Sequence, residues 1–208
     1  MESLHEISFR YSLDKNYEKT KCHDYIPAYT LLFDPIRGDV KHMLEIGIGS
    51  VENGQMGGVL HLGYKTGNSL KCWSEYFYNA KIYGIDIYQH NELNNERIRT
   101  FVADQSSTHN LQSVMDAIKS PLDIIIDDGS HDGQHQAFSF MYLNSFLSTK
   151  GIYIIEDIQP DNILKFQTLS IFPPEFRSYL NDNFTIQYFD TREKHNKTDD
   201  FMAVFKRK

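Results

Sequence analysis

Sulfur crosslinks, long apolar spans and an excess of positive charge are all missing from this 208-residue chain, and each absence removes a class of protein from consideration. The two cysteines, Cys22 and Cys72, lack metal-ligand spacing and are too few for a disulfide framework. They read as reduced thiols of the core or surface, which favours a reducing compartment. A chain of this length buries roughly 70% of the surface that its unfolded form exposes, so it needs no such framework. No apolar run approaches the roughly 18 residues of a bilayer span. The opening residues, MESLHEISFR, carry charge where a secretory leader has its apolar stretch. A soluble, cytoplasmic protein with no membrane span is expected. With 21 Lys and Arg against 28 Asp and Glu, the formal net charge is −7, so nucleic acid is not an expected partner despite the basic KRK terminus. Internal repeats, low-complexity tracts and domain linkers are also absent.

What is present is a repeated pattern of apolar runs with acidic or glycine-rich tips. MLEIGIGS, IYGIDIY, TFVADQSS, DIIIDDGSH and GIYIIEDIQ all fall between residues 43 and 159. Short Ile- and Val-rich runs bounded by turn formers suit strands covered by helices on both faces. Between them lie helical segments NSLKCWSEYFYNA, HNLQSVMDAIKS and GQHQAFSFMYLNSFLS, and strand-helix alternation implies right-handed parallel crossovers. In the first of these, Leu70, Trp73, Tyr76 and Phe77 are spaced as one buried stripe.

Residues 1–41 form an expected helical lead-in and active-site cover, with a helix at YIPAYTLLFDPIRG that turns Leu31, Leu32 and Ile36 toward a core. The stretch from Gly49 to Gly67, with glycines also at 54, 57, 58 and 63, reads as a long functional loop. After Pro160 comes a helical region broken at Pro173 and Pro174. The terminal strands FTIQYFD and DFMAVFKR, joined by polar TREKHNKTD, suit an antiparallel pair. The expected fold is α/β: a single doubly wound, Rossmann-like domain over residues 42–208, with about seven strands, mostly parallel with an antiparallel C-terminal strand.

Ligands of open α/β sheets bind outside the carboxyl ends of the strands, so the acidic tips are the candidate site. Glu45, Gly47 and Gly49 combine a carboxylate with two glycines that allow close backbone approach. Asp86 ends the second strand, where a carboxylate can accept both hydrogen bonds of a ribose diol. Asp104 and Gln105 end the third, either contacting an adenine or capping the next helix. Together these point to a nucleoside-containing cofactor. Glu52 stands where a dinucleotide-binding Gly-x-Gly-x-x-Gly turn needs its last glycine, which argues against NAD.

In the order of these elements the chain resembles the class I S-adenosylmethionine-dependent methyltransferases. The resemblance implies that the Gly47/Gly49 turn approaches the methionine moiety, that Asp86 holds the ribose, and that Gly67-Asn68-Ser69-Leu70 supplies a helix N-terminus toward the cofactor through Ser69.

The fourth and fifth tips, Asp127-Asp128-Gly129-Ser130-His131 and Glu156-Asp157, gather carboxylates that repel one another unless protonated or neutralised. A hard divalent cation, Mg²⁺ foremost, is their natural partner. His131 follows Asp128 by one turn and suits proton removal from an acceptor hydroxyl. The competing reading assigns Asp127 or Asp128 to helix capping, His131 to an exposed turn and Glu156-Asp157 to strand-end solvation. His135 reads as an orienting or structural residue, and His23 and Tyr25 as either cofactor cover or ordinary surface and core.

The DDGSH and IIEDI elements resemble those of metal-dependent macrolide-sugar O-methyltransferases of the mycinamicin type and related glycan-modifying enzymes. By motif position the resemblance implies Asp128, Glu156 and Asp157 as metal ligands and His131 as general base. It also implies a small-molecule sugar or glycan acceptor: a glycan precursor, sugar nucleotide or glycosylated metabolite. Self-association to a homo-oligomer is left open. The competing functions are a methyltransferase-fold scaffold without turnover and a metal-dependent hydrolase.

Overall fold

Strands alternate with helices through the computed structural model, which describes residues 1–51 and 63–208. Most of the glycine-rich stretch read as a long loop, with Gly54, Gly57, Gly58 and the Glu52 position, lies outside the described residues. Seven strands among the described residues form one sheet in the order β3 (Ile98–Val102), β2 (Lys81–Asp86), β1 (His42–Ile46), β4 (Leu122–Asp127), β5 (Leu147–Ile155), β7 (Phe201–Arg207), β6 (Phe184–Asp190). The α/β class, the strand number and the lone antiparallel strand are those expected from the sequence. By compactness the chain divides into two units, Met1–Val102 and Ala103–Lys208.

The first unit opens with α1 (Leu4–Arg10), a helix that irregular apolar periodicity concealed. Its signal is a capping box: the Ser3 hydroxyl accepts from the Glu6 N–H at 3.2 Å while the Glu6 carboxylate accepts from the Ser3 N–H at 2.8 Å. After α2 (Tyr17–Thr20) comes α3 (Ile26–Phe33), which runs into a short 3₁₀ turn at Asp34–Ile36. Here one expectation is corrected, because Leu31 is 68% exposed while Leu32 is 4% exposed. The inward face of α3 is set by Tyr29, Leu32 and Phe33, and the 3.6-residue period carries Leu31 to the other side. Ile36 is half-buried.

Strand β1 (His42–Ile46) pairs in parallel with β2 (Lys81–Asp86), and β2 with β3 (Ile98–Val102). Helix α4 (Asn68–Tyr76) carries the expected stripe, and Leu70, Trp73, Tyr76 and Phe77 are all fully buried. Trp73 meets Tyr29 edge-on at 5.2 Å, and Phe33 meets Phe77 at 5.3 Å, so the lead-in helix and α4 share one aromatic core. Gly84 is required in β2 by close approach. A Cβ there would lie 2.7 Å from Leu70 Cδ1 and 3.0 Å from Ile48 Cδ1.

The second unit holds α5 (Thr108–Ile118), β4 (Leu122–Asp127), α6 (Gly133–Leu143), β5 (Leu147–Ile155), α7 (Pro160–Gln167), α8 (Pro174–Asn183), β6 (Phe184–Asp190), α9 (Arg192–His195) and β7 (Phe201–Arg207). β4 and β5 are parallel, whereas β7 runs antiparallel to both β5 and β6. Strand β5 begins at Leu147, four residues before Gly151, because a register shift beside Leu122 lets its polar start join the sheet. Polar TREKHNKTD holds the short α9. Neither Cys22 nor Cys72 is in a disulfide, and burial pushes the Cys72 thiol well above its ordinary pKa. No helix among the described residues is long and apolar enough to cross a membrane.

Phe140 is the hub of this unit's core. Its ring lies 4.3 Å from Phe205, 4.9 Å from Tyr153 and 5.7 Å from Phe184, joining α6 to three strands. Phe140→Ala should therefore lower unfolding stability by about 3–5 kcal/mol, as measured by urea denaturation. A loss below 1 kcal/mol would show that the surrounding rings close the gap.

Candidate active site

In the first unit the β1 tip turns through Gly47 and Gly49, whose φ values of 87° and 71° suit glycine and place peptide groups where a side chain would otherwise stand. Asp86 is 6% exposed at the end of β2. Its Oδ2 accepts from the Ile48 N–H at 3.0 Å and its Oδ1 from the Tyr88 N–H at 3.0 Å, so it fixes the glycine turn against β2. Each carboxylate oxygen has a second lone pair, which leaves acceptor capacity for a ligand. Glu45 is fully buried, and it accepts from the Ser69 hydroxyl at 2.6 Å and from the Trp73 indole N–H at 3.1 Å. Two residues read as cofactor contacts, Glu45 and Ser69, are thus brought together as a clamp between β1 and α4. His23 stacks on the buried Tyr25 at 5.5 Å.

In the second unit Asp127 ends β4 with no exposure to solvent. Gln105 Nε2 donates to both of its oxygens at 3.1 Å, the Gly129 N–H donates at 3.3 Å, and the Ser139 hydroxyl donates to Oδ2. Burial raises the Asp127 pKa to about 6, against these hydrogen bonds, which favour the charged form. The Gln105 amide oxygen in turn accepts from the Ser130 N–H at 2.7 Å. Gln105 therefore braces the turn that follows β4, a duty that its position after β3 does not reveal. Asp104 is exposed and accepts from the Ser106 hydroxyl at 2.7 Å and the Ser106 N–H at 2.8 Å, local turn contacts that hold its pKa below the usual carboxylate range.

The braced turn presents Asp128 and His131. His131 Nε2 lies 3.2 Å from Asp128 Oδ1 and 3.7 Å from Asp157 Oδ2. Burial pulls the imidazole pKa down, but the Asp128 hydrogen bond and the charges of Asp128, Asp157 and Asp127 outweigh it and raise it to about 9. Donor atoms of Asp128, His131 and Asp157 all lie within 4.8 Å of one another. Two carboxylates and an imidazole at this spacing fit a divalent cation. Glu156 is not one of that trio. It is 1% exposed, its N–H donates to the Asp127 carbonyl at 2.9 Å, and its own carbonyl accepts from Gln136 Nε2 at 2.8 Å. His131 and Asp157 both have left-handed backbones, with φ of 56° and 51°. Such conformations cost non-glycine residues free energy and concentrate at functional sites. His135 pairs through Nδ1 with the Ser130 hydroxyl at 3.0 Å, apart from the trio.

A family model described as FtsJ-like methyltransferase matches residues 42–192. The chain is 36% identical, over 72% of its length, to 8-demethyl-8-alpha-L-rhamnosyl tetracenomycin-C 2'-O-methyltransferase of Streptomyces olivaceus, covering 37% of that protein. It is 34% identical, over 74% of its length, to mycinamicin VI 2''-O-methyltransferase of Micromonospora griseorubida, covering 36% of it. The chain thus spans little more than a third of the length of these relatives. Among solved structures it is similar to the MycE methyltransferase of the mycinamycin biosynthetic pathway in complex with Mg, SAH and mycinamycin VI, with a TM-score of 0.74 and 26% identity, over 99% of this chain and 54% of that one.

The Gln105 brace makes a prediction of its own. Gln105→Leu leaves the Asp127 carboxylate and the Ser130 N–H short of partners, and should lower unfolding stability by about 1–3 kcal/mol without any ligand present. A urea midpoint equal to that of the unsubstituted protein would show that the amide does not hold the turn.

Proposed function

Since this chain belongs to the FtsJ-like methyltransferase family, we propose that it carries out S-adenosylmethionine-dependent, Mg²⁺-dependent O-methylation of a sugar hydroxyl, on a glycosylated metabolite, glycan precursor or sugar nucleotide. The observation that carries this reading is the convergence of Asp128, His131 and Asp157. Relatives named for methylating sugar hydroxyls, and a similar structure that holds Mg and SAH, support it. The net charge of −7 supports a small-molecule acceptor over nucleic acid.

When bound, S-adenosylmethionine supplies an activated methyl group on a sulfonium, and a divalent cation would lower the pKa of an acceptor hydroxyl. Asp86 would accept from the ribose hydroxyls, and the Gly47–Gly49 turn would bring peptide groups up to the methionine portion. Glu45 and Ser69 keep α4 in register with that turn. Asp128 and Asp157 would hold the cation, with Glu156 beside them as a further carboxylate, and Asp127 and Gln105 fix the turn from which Asp128 projects. His131 would take the acceptor proton at Nε2, the nitrogen that faces Asp128 and Asp157; those carboxylates hold it protonated until a bound cation offsets their charge and frees it as a base. Orientation and preorganised charge supply most of the acceleration, because the methyl group arrives activated.

Four substitutions test the assignment. Asp86→Ala should weaken S-adenosylhomocysteine binding by about 1–3 kcal/mol in calorimetry, since a buried acceptor is lost. Equal affinity in the folded variant would remove Asp86 from the ribose site. Asp128→Ala or Asp157→Ala should abolish transfer to sugar acceptors while sparing cofactor affinity, and chelation should mimic them. Full activity in the chelated protein would rule out an essential cation.

His131→Ala should slow single-turnover methyl transfer by about two to four orders of magnitude, as expected for a positioned base. Its effect on Mg²⁺ affinity should be small. A collapse of Mg²⁺ affinity would instead make His131 a ligand, while cofactor binding with no transfer to any sugar acceptor would identify a scaffold on this fold.

A further inference from the structure

His90 lies four residues beyond Asp86, in the segment leading from β2 to β3, and nothing in its sequence context marks it for function. Its backbone carbonyl is pinned by the Thr100 hydroxyl at 3.0 Å and the Leu93 N–H at 3.1 Å, so the ring has little freedom to move away. The side chain is 3% exposed. Nδ1 faces Glu92 Oε1 at 3.5 Å, toward solvent. Nε2 faces inward, 3.8 Å from Asp86 Oδ2, and it is buried with no hydrogen-bond partner among the described residues. A buried polar nitrogen in this state costs free energy that a ligand hydroxyl would return.

The separation is informative. At 3.8 Å, Nε2 and Oδ2 are too far apart to bond each other. The adjacent hydroxyls of a cis-diol sit closer than this, and two hydrogen bonds diverging from them reach partners so spaced. Asp86 and His90 are equally shielded, at 4% and 3% side-chain exposure, so a diol that reaches one meets the other. With its proton on Nδ1 toward Glu92, the imidazole presents Nε2 as an acceptor.

Resting on the cofactor reading above, we infer that His90 is the second half of the ribose clamp, with Nε2 accepting from one ribose hydroxyl while Asp86 accepts from its neighbour. Each hydroxyl then has its own buried acceptor. The clamp selects an intact ribose diol and discriminates against deoxyribose analogues.

The test is calorimetry on the whole chain with S-adenosylhomocysteine and its 2'-deoxy and 3'-deoxy analogues. His90→Phe, which keeps the ring but removes both nitrogens, should weaken S-adenosylhomocysteine binding by about 5- to 30-fold, the factor worth one buried hydrogen bond. Toward one of the two deoxy analogues, the variant and the unsubstituted protein should bind alike, because the hydroxyl that His90 serves is already gone. His90→Gln, whose amide places an acceptor near the same point, should recover most of the loss. Circular dichroism confirms that each variant is folded, and His90→Leu, which also lacks both nitrogens, carries the test should the Phe variant not be. Undiminished affinity in His90→Phe, or an equal loss toward all three ligands, would overturn the inference while leaving the cofactor reading intact. Failure of the unsubstituted protein to bind S-adenosylhomocysteine at all would overturn the cofactor reading itself.

Discussion

A carboxylate shut away from water must be answered by donors, or it gives up its charge. At the end of β4 Asp127 meets this constraint with Gln105 on both oxygens and with Ser139 and Gly129 beside it. The donors come from the β3–α5 connection, from α6 and from the turn itself, so one buried charge ties three pieces of backbone to a single point. Each net hydrogen bond to a charged group is worth about 1.5–3 kcal/mol, enough together to hold a turn that would otherwise be free. The raised pKa of Asp127 shows that burial still exceeds that compensation. The placement of Asp128 and His131 depends on this brace.

The same logic recurs in the first unit with different groups. Glu45 is met by Ser69 and Trp73 of α4, which couples the depth of the strand to the start of the helix. Asp86 accepts peptide N–H groups from both sides and thereby sets the glycine turn. The acids of the strand tips thus divide into two kinds. Glu45 and Asp127 are turned into the protein and brace it, whereas Asp86, Asp128 and Asp157 stand at the turns that end their strands.

Much of this was legible in the sequence because the acidic tips terminate apolar runs. The strand-helix alternation, the α4 stripe and the placing of Asp128, His131 and Asp157 at strand ends all follow from position relative to those runs. What stayed hidden depends on direction rather than position. Gln105 follows β3 as an adenine contact would, yet its amide turns back to Asp127 and Ser130, and no periodicity encodes that rotation. Leu31 shows the same limit in a helix, since three adjacent apolar residues leave the inward face to be decided by neighbouring rings. The capping box of α1 was readable but was masked by weak apolar periodicity. His90 gave no signal at all, because its meaning lies in a distance to Asp86 across a turn.

The adjacent acids of the fourth and fifth tips show why direction matters. In an extended strand, Asp127 and Asp128 would face opposite sides, one toward the core and one away. The first braces, and the second is released by a turn that continues to His131. At the next strand the alternation alone does not bring Asp157 to His131, and a left-handed residue at 157 redirects the chain. Glycine would occupy that conformation, and the matching one at 131, without strain, but it would bring neither carboxylate nor imidazole. The left-handed backbone at 131 and 157 thus brings an imidazole and a carboxylate to two points where the backbone alone would favour glycine. The hydrogen bonds around Asp127 offset the cost of that backbone from immediately outside the trio.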